Sequence, residues 1–228
     1  MNCFRDNIVA GRILVDGEPL LSSGRRVILF AHGAGADMHH SFMAQIAADL
    51  ARQGGYSVVR FNFPYMQQRQ LDGKRRPPDK AEKLQACFGD YLTQLYNAGA
   101  GKVILMGKSM GGRMAAMLAA QPEYTAMIAG VVCLGYPFLP PAKRATAEPR
   151  LAPLQQVPLP TLVIQGERDS FGNQAQLATW SLGQQVETVF LPDGDHSFIP
   201  RKRSGFTLDE NMAQACRACQ QFIGACYA

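Results

Sequence analysis

The 228 residues predict a three-layer α/β fold: a mostly parallel central sheet with helices on both faces. Three observations carry that expectation. Short β-rich runs alternate with helical patterns from one end of the chain to the other. The runs are continuously apolar, as strands covered on both faces must be. Each closes on a glycine or polar turn before the next helical pattern begins.

Taken in order, the first 22 residues, with a turn at Gly17, read as one or two antiparallel edge strands. Residues 26–30 (RVILF) form the first central strand and lead into AHGAGAD. A helix follows on which Met43, Ile46 and Leu50 share a face, closed by Gly54 and Gly55. SVVRF at 57–61 is the next strand, and a polar stretch rich in Gln, Lys and Arg reads as a loop. Pro77 and Pro78 then open a helix to about residue 96, with Asp79 and Glu82 at capping-box spacing. Strands at 103–106, 130–134, 161–165 and 188–191 follow, with a helix at 110–120. Residues 138–159, rich in proline and arginine, read as a short excursion over the site, a minimal lid or none. Residues 1–228 are expected to make one domain, with no internal repeat.

Composition narrows the function classes. With 47% apolar and 18% charged residues, the chain is globular rather than disordered. The net charge is +5, and much of the basic excess sits in two loop-like runs, 74–76 and 201–203. Neither run is interleaved with aromatics, so nucleic acid is not the expected partner. No run approaches the roughly 20 apolar residues that cross a bilayer, so no membrane is expected either. The start, MNCFRDNIVAG, lacks the apolar stretch of a signal peptide. The six cysteines are therefore read as reduced thiols in a cytoplasmic protein. Cys216 and Cys219 form a C-x-x-C, but with Met212, Ile223 and Cys226 they trace one helix face after a Thr207–Glu210 capping box. Core packing, not redox or metal chemistry, is the reading. No metal or cofactor is expected.

Chemistry belongs at the carboxyl ends of parallel strands. After the strand at 103–106 stands Gly107-Lys108-Ser109-Met110-Gly111, a G-x-S-x-G between an apolar run and a helix. That context is the nucleophile elbow, which holds a serine in unfavourable backbone angles with small residues beside it. Of four histidines only His196 lies downstream of Ser109, in a loop just after the last strand. It is the expected base. The acid should follow the strand at 161–165, where Asp169 is the first choice and Glu167 the second. Asp193 and Asp195 read as turn residues. The oxyanion donors are expected to be the N–H groups of Met110 and Ala34, with Gly35 as the alternative to Ala34. His32 reads as a structural residue ordering the glycine loop, which lacks both the dinucleotide fingerprint and a Walker lysine.

AHGAGADM, RFNFPY, GKSMGGR, LGYPF, QGERDSFG and DHSF, in that order, resemble the α/β-hydrolase superfamily across nearly the whole chain. The similarity is greatest to a small dienelactone-hydrolase-like group. It includes bacterial predicted hydrolases and a eukaryotic branch with a subunit of the NSL histone-acetyltransferase complex and a testis-expressed relative. The resemblance implies a Ser109, Asp169, His196 triad. It also flags Lys108, Arg113, Asp37 and Tyr65, read either as scaffold support or as substrate contacts. Dienelactone hydrolases proper use a cysteine where this chain has Ser109, so their substrate does not carry over. The expected activity is a serine hydrolase cleaving a small ester or thioester, with a small-molecule acyl substrate as partner. The alternatives are a non-catalytic interaction module on the same fold and an acyltransferase using the same residues. The acyl group and the oligomeric state are not written in the sequence.

Overall fold

The computed structural model describes residue 7 and residues 10–17, 26–142 and 146–228. One sheet of seven strands organises it. Its centre is β2 (Val27–Ala31), β4 (Val103–Lys108), β5 (Ile128–Leu134) and β6 (Thr161–Gly166), parallel to one another. On one side β3 (Ser57–Phe61) pairs parallel to β2, and β1 (Ile13–Asp16) closes that edge antiparallel to β3. On the other side β7 (Val186–Leu191) pairs parallel to β6. The order is thus β1-β3-β2-β4-β5-β6-β7.

The expected edge strand near the N-terminus is β1, and Gly17 turns after it with φ 95°. Residues 1–6, 8–9 and 18–22 of that region lie outside the described residues. A Cβ on Gly17 would sit 2.6 Å from the Tyr56 carbonyl oxygen, so both conformation and space demand glycine there.

Helices cover both faces. α1 (Ser41–Gly54) buries Met43, Ile46 and Leu50 against the face carrying Ile28, Phe30 and Val58. Gly55, left-handed at φ 64°, terminates it. The polar stretch after β3, expected to be a loop, is instead a helix, α2 (Pro64–Asp72). Pro64 supplies a preset first turn and Gly73 a left-handed cap, and these end signals outweigh the weakly apolar interior. The next helix, α3 (Ala81–Leu95), starts without the expected capping box, since Lys80 caps it with no side-chain bond. Asp79 is engaged elsewhere: it accepts from the Tyr65 backbone N–H at 2.9 Å and pairs with Lys83 at 2.8 Å.

α3 and α4 (Met110–Ala119) pack on the second face, where Phe61, Phe88, Leu105 and Met114 are buried together. Short helices α5 (Pro122–Thr125), α6 (Ala152–Gln156) and α7 (Gln174–Leu177) sit in the connections. α6 is the regular element within the 138–159 segment, and residues 143–145 of that segment lie outside the described residues. The last helix, α8 (Leu208–Cys226), has its capping box formed, Thr207 and Glu210 bonding reciprocally. Met212, Cys216, Cys219 and Ile223 pack beside α1 in the core. Burial pushes the Cys216 thiol up to about 12, so it stays protonated and apolar at neutral pH. No described helix is long and apolar enough to cross a membrane.

Candidate active site

The carboxyl ends of β2, β4, β6 and β7 converge. At the end of β4, Ser109 takes φ 51° and ψ −113°, a conformation that costs a non-glycine residue about 1–3 kcal/mol. Packing imposes it. A Cβ on Gly107 would lie 2.1 Å from the Gly111 carbonyl carbon, and one on Gly111 only 2.4 Å from the Ala31 carbonyl oxygen. Strand, turn and helix are therefore in backbone contact, and only glycine fits at these two positions. The Ser109 N–H donates to the Leu134 carbonyl at 2.9 Å, which ties the turn to β5.

From this turn the Ser109 hydroxyl donates to His196 Nε2 at 2.9 Å. His196 Nδ1–H donates to Asp169 Oδ2 at 2.8 Å. A carboxylate only accepts, so the proton is on Nδ1 and Nε2 is free to receive one. Asp169 is fully buried and its other oxygen accepts from the Phe171 N–H at 2.7 Å. Burial lowers the His196 pKa, the Asp169 bond opposes that, and the nearby Lys108 cation lowers it further. The imidazole is neutral at pH 7, the form a general base needs.

The structure thus brings Ser109, Asp169 and His196 together, and leaves the alternatives outside. Glu167 accepts from the Asp193 N–H at 2.7 Å and does not reach the histidine. Asp193, at φ 50°, pairs with Arg168 and Arg201, while Asp195 accepts from the N–H groups of Ser197 and Ile199. Both are turn residues, as their spacing indicates.

Met110 is the first residue of α4, where backbone N–H groups lack intrahelical partners. The glycine loop after β2 lies against the elbow. A Cβ on Gly33 would come 3.4 Å from Ser109 Cβ and 3.3 Å from the Lys108 carbonyl. Ala34 follows, exposed on the same turn, and Gly35 is left-handed at φ 81°. His32 orders this loop from beneath. It is fully buried, its Nδ1–H donates to the Gly33 carbonyl at 2.8 Å, and its Nε2 accepts from the Phe63 N–H at 3.1 Å. Burial takes its pKa down to about 4.

Lys108 immediately precedes the serine, its side chain beside Gly33. Its ammonium donates to the His196 carbonyl at 2.6 Å and lies 5.5 and 5.6 Å from the ring centres of Phe42 and Phe198. Cation–π contact and the carbonyl offset part of the cost of taking the charge out of water. Burial still brings its pKa down to about 8. Of the other flagged residues, Asp37 closes a turn by accepting from the His39 N–H at 3.0 Å, and the Tyr65 ring packs edge-on against His32.

Two supporting residues carried only faint sequence signals. Gln165 is a buried amide in an otherwise apolar strand; it donates to Asp169 Oδ2 at 2.9 Å and accepts from the Tyr136 N–H at 2.8 Å. Its polarity within TLVIQG was the available clue. Phe171 packs against the His196 ring, centres 4.4 Å apart, and nothing in its spacing indicates that.

A family model for the alpha/beta hydrolase domain matches residues 24–224. The chain belongs to the α/β-hydrolase family. Solved structures agree on the fold. Est1E from Butyrivibrio proteoclasticus, bound to ferulic acid, superposes with a TM-score of 0.69 at 12% identity, over 93% of this chain and 95% of that one. A dienelactone hydrolase from Anabaena variabilis gives 0.65 at 22% identity, over 90% and 88% of the two chains. An α/β serine hydrolase without a lid from Xanthomonas campestris gives 0.62 at 21%, over 93% and 88%. At such identities the likeness is one of fold alone. No curated protein sequence matches the chain.

Proposed function

We propose that this α/β hydrolase is a serine esterase or thioesterase working through an acyl-enzyme. The observation that carries the reading is the continuous bond path from the strained Ser109 hydroxyl through His196 to buried Asp169. His196 Nε2 takes the hydroxyl proton as Ser109 Oγ attacks the carbonyl carbon. The tetrahedral oxyanion is held by the N–H groups of Met110 and Ala34, at a helix N-terminus that favours negative charge. Imidazolium, stabilised by Asp169, then protonates the departing alcohol or thiol. Water, deprotonated by the same histidine, attacks the acyl-serine and releases the acid. A small acyl group suits a chain in which the segment between β5 and β6, where a lid would be inserted, is short.

Labelling by a fluorophosphonate probe tests this directly. The wild-type chain is expected to label and Ser109→Ala to remain unlabelled while keeping the wild-type melting temperature. Wild-type protein that is folded yet unlabelled would sink the hydrolase reading and favour a non-catalytic role. A panel of short acyl esters and thioesters then separates the two leaving-group classes.

A further inference from the structure

Beside α4, the helix that follows the elbow, lies a second feature that the acyl-transfer chemistry does not use. A cavity of about 550 Å³ opens between α3, α4 and α6. Two arginines face it: Arg113, one turn into α4, whose N–H donates to the Ser109 carbonyl at 3.1 Å, and Arg150, just before α6. No carboxylate among the described residues lines this space. Neither arginine forms an ion pair among the described residues, whereas Arg52, Arg60, Arg76, Arg168 and Arg201 all do. The Arg113 Nε–H is moreover fully buried with no hydrogen-bond partner among the described residues.

Such an arrangement is unfavourable without an anionic partner. A buried donor left without an acceptor costs about 1–3 kcal/mol, more when the group is charged. Two part-buried guanidiniums sharing one space without a counter-charge also repel, and the Arg150 pKa is lowered by burial first and by Arg113 second. Scaffold arginines normally resolve this with a carboxylate or a carbonyl oxygen. Here no described residue supplies that acceptor to the Arg113 Nε–H.

We infer that the cavity is a binding site for a phosphate group carried on a small organic molecule. Two guanidinium forks match two charges and several acceptor oxygens, which a phosphate monoester dianion supplies and a single carboxylate does not. Gln85 adds a donor: its Oε1 already accepts from Gln121, while its amide nitrogen meets only the Met117 sulfur at 4.0 Å. Met117 and Pro153 form an apolar wall beside the arginines. The volume falls within the range of small-molecule sites and exceeds what one phosphate fills, so an organic body has room. The inference is independent of the hydrolase reading, since Ser109, Asp169 and His196 are not among the residues that line the cavity.

Thermal melting at constant ionic strength, with chloride replaced by inorganic phosphate or by phenyl phosphate, tests the site. The wild-type Tm is expected to rise saturably with both probes, phenyl phosphate reaching half-effect at the lower concentration. Arg150→Gln should need roughly tenfold to a hundredfold more of either probe, the loss of one charged hydrogen-bonding partner. Lys202→Gln, in an exposed basic loop, and Ser109→Ala should respond as the wild type does. No saturable shift in the wild type, or an unchanged response in Arg150→Gln, overturns the site. Equal midpoints for the two probes overturn the organic ester and leave free phosphate as the ligand. Arg113→Gln repeats the test from the other guanidinium, and Arg150→Gln alone decides if that variant does not fold.

Discussion

Lys108 occupies the variable position of G-x-S-x-G, yet its ammonium is fixed on the carbonyl of the very histidine that faces Ser109. Two consequences follow from one side chain. The bond anchors the His196 loop to the end of β4, and the charge disfavours a second charge on the imidazole. Removing the cation in Lys108→Met should therefore raise the His196 pKa. The acid limb of kcat/KM against pH then moves to higher pH, with a several-fold loss near neutrality. Lys108→Arg, which keeps the charge, should leave the limb near its wild-type position. A profile on a p-nitrophenyl ester measures both; a limb that Lys108→Met does not move would show the lysine to be an anchor only. The neighbours legible by type were Ser109, Asp169 and His196, because chain order and strand ends constrain them. Lys108, Gln165 and Phe171 were not, because their roles depend on partners distant in the chain: Lys108 meets His196, 88 residues away, Gln165 meets Tyr136, 29 residues away, and Phe171 meets the His196 ring.

Among the elements, the helices whose ends carry strong chemical signals were the easiest to read. α8 begins at a formed Thr207–Glu210 capping box. Thr207→Ala should lower stability by about 1 kcal/mol, measured by urea unfolding, and leave Ser109 labelling intact. A loss well above that would mean Thr207 holds more than a helix end. α3 shows where such signals mislead. Asp79 and Glu82 have capping-box spacing, but Asp79 is drawn to the Tyr65 N–H and Lys83, and the helix starts at Ala81 instead. Likewise α2 looks like a polar loop because its face toward the core is narrow, with Tyr65 and Met66 its buried residues. Local propensity could not reveal that a proline start and a glycine stop would suffice once β3 and α3 were packed beside it.

At the scale of the whole molecule, burial of one ionisable ring links folding to pH. His32 binds its proton at about 4 in the folded chain and near 6.5 when unfolded. Above pH 6.5 both states leave it neutral and its environment costs nothing extra. Below that, the unfolded chain takes up a proton that the folded chain refuses, so stability falls until the pH reaches about 4. The full drop is roughly 3 kcal/mol. Urea unfolding at a series of pH values from 7 to 4 should show it, and His32→Gln should have a shallower slope over that window. Equal slopes in the two proteins would mean that other groups govern the acid loss.

Patterning and chain order were enough for the layer architecture, for the strand ends that carry the candidate site, for Ser109 and His196, and for narrowing the acid to Asp169 or Glu167. Hydrophobic periodicity and glycine placement are local properties, and they survive without knowledge of the partners. Tertiary structure alone decided which carboxylate reaches the imidazole, that Lys108 grips the His196 carbonyl, and that Arg113 and Arg150 share one space without an acid between them. Those are facts about side chains brought together from distant elements. Their energies come from desolvation and pairing in the folded interior, which no single stretch of the chain contains.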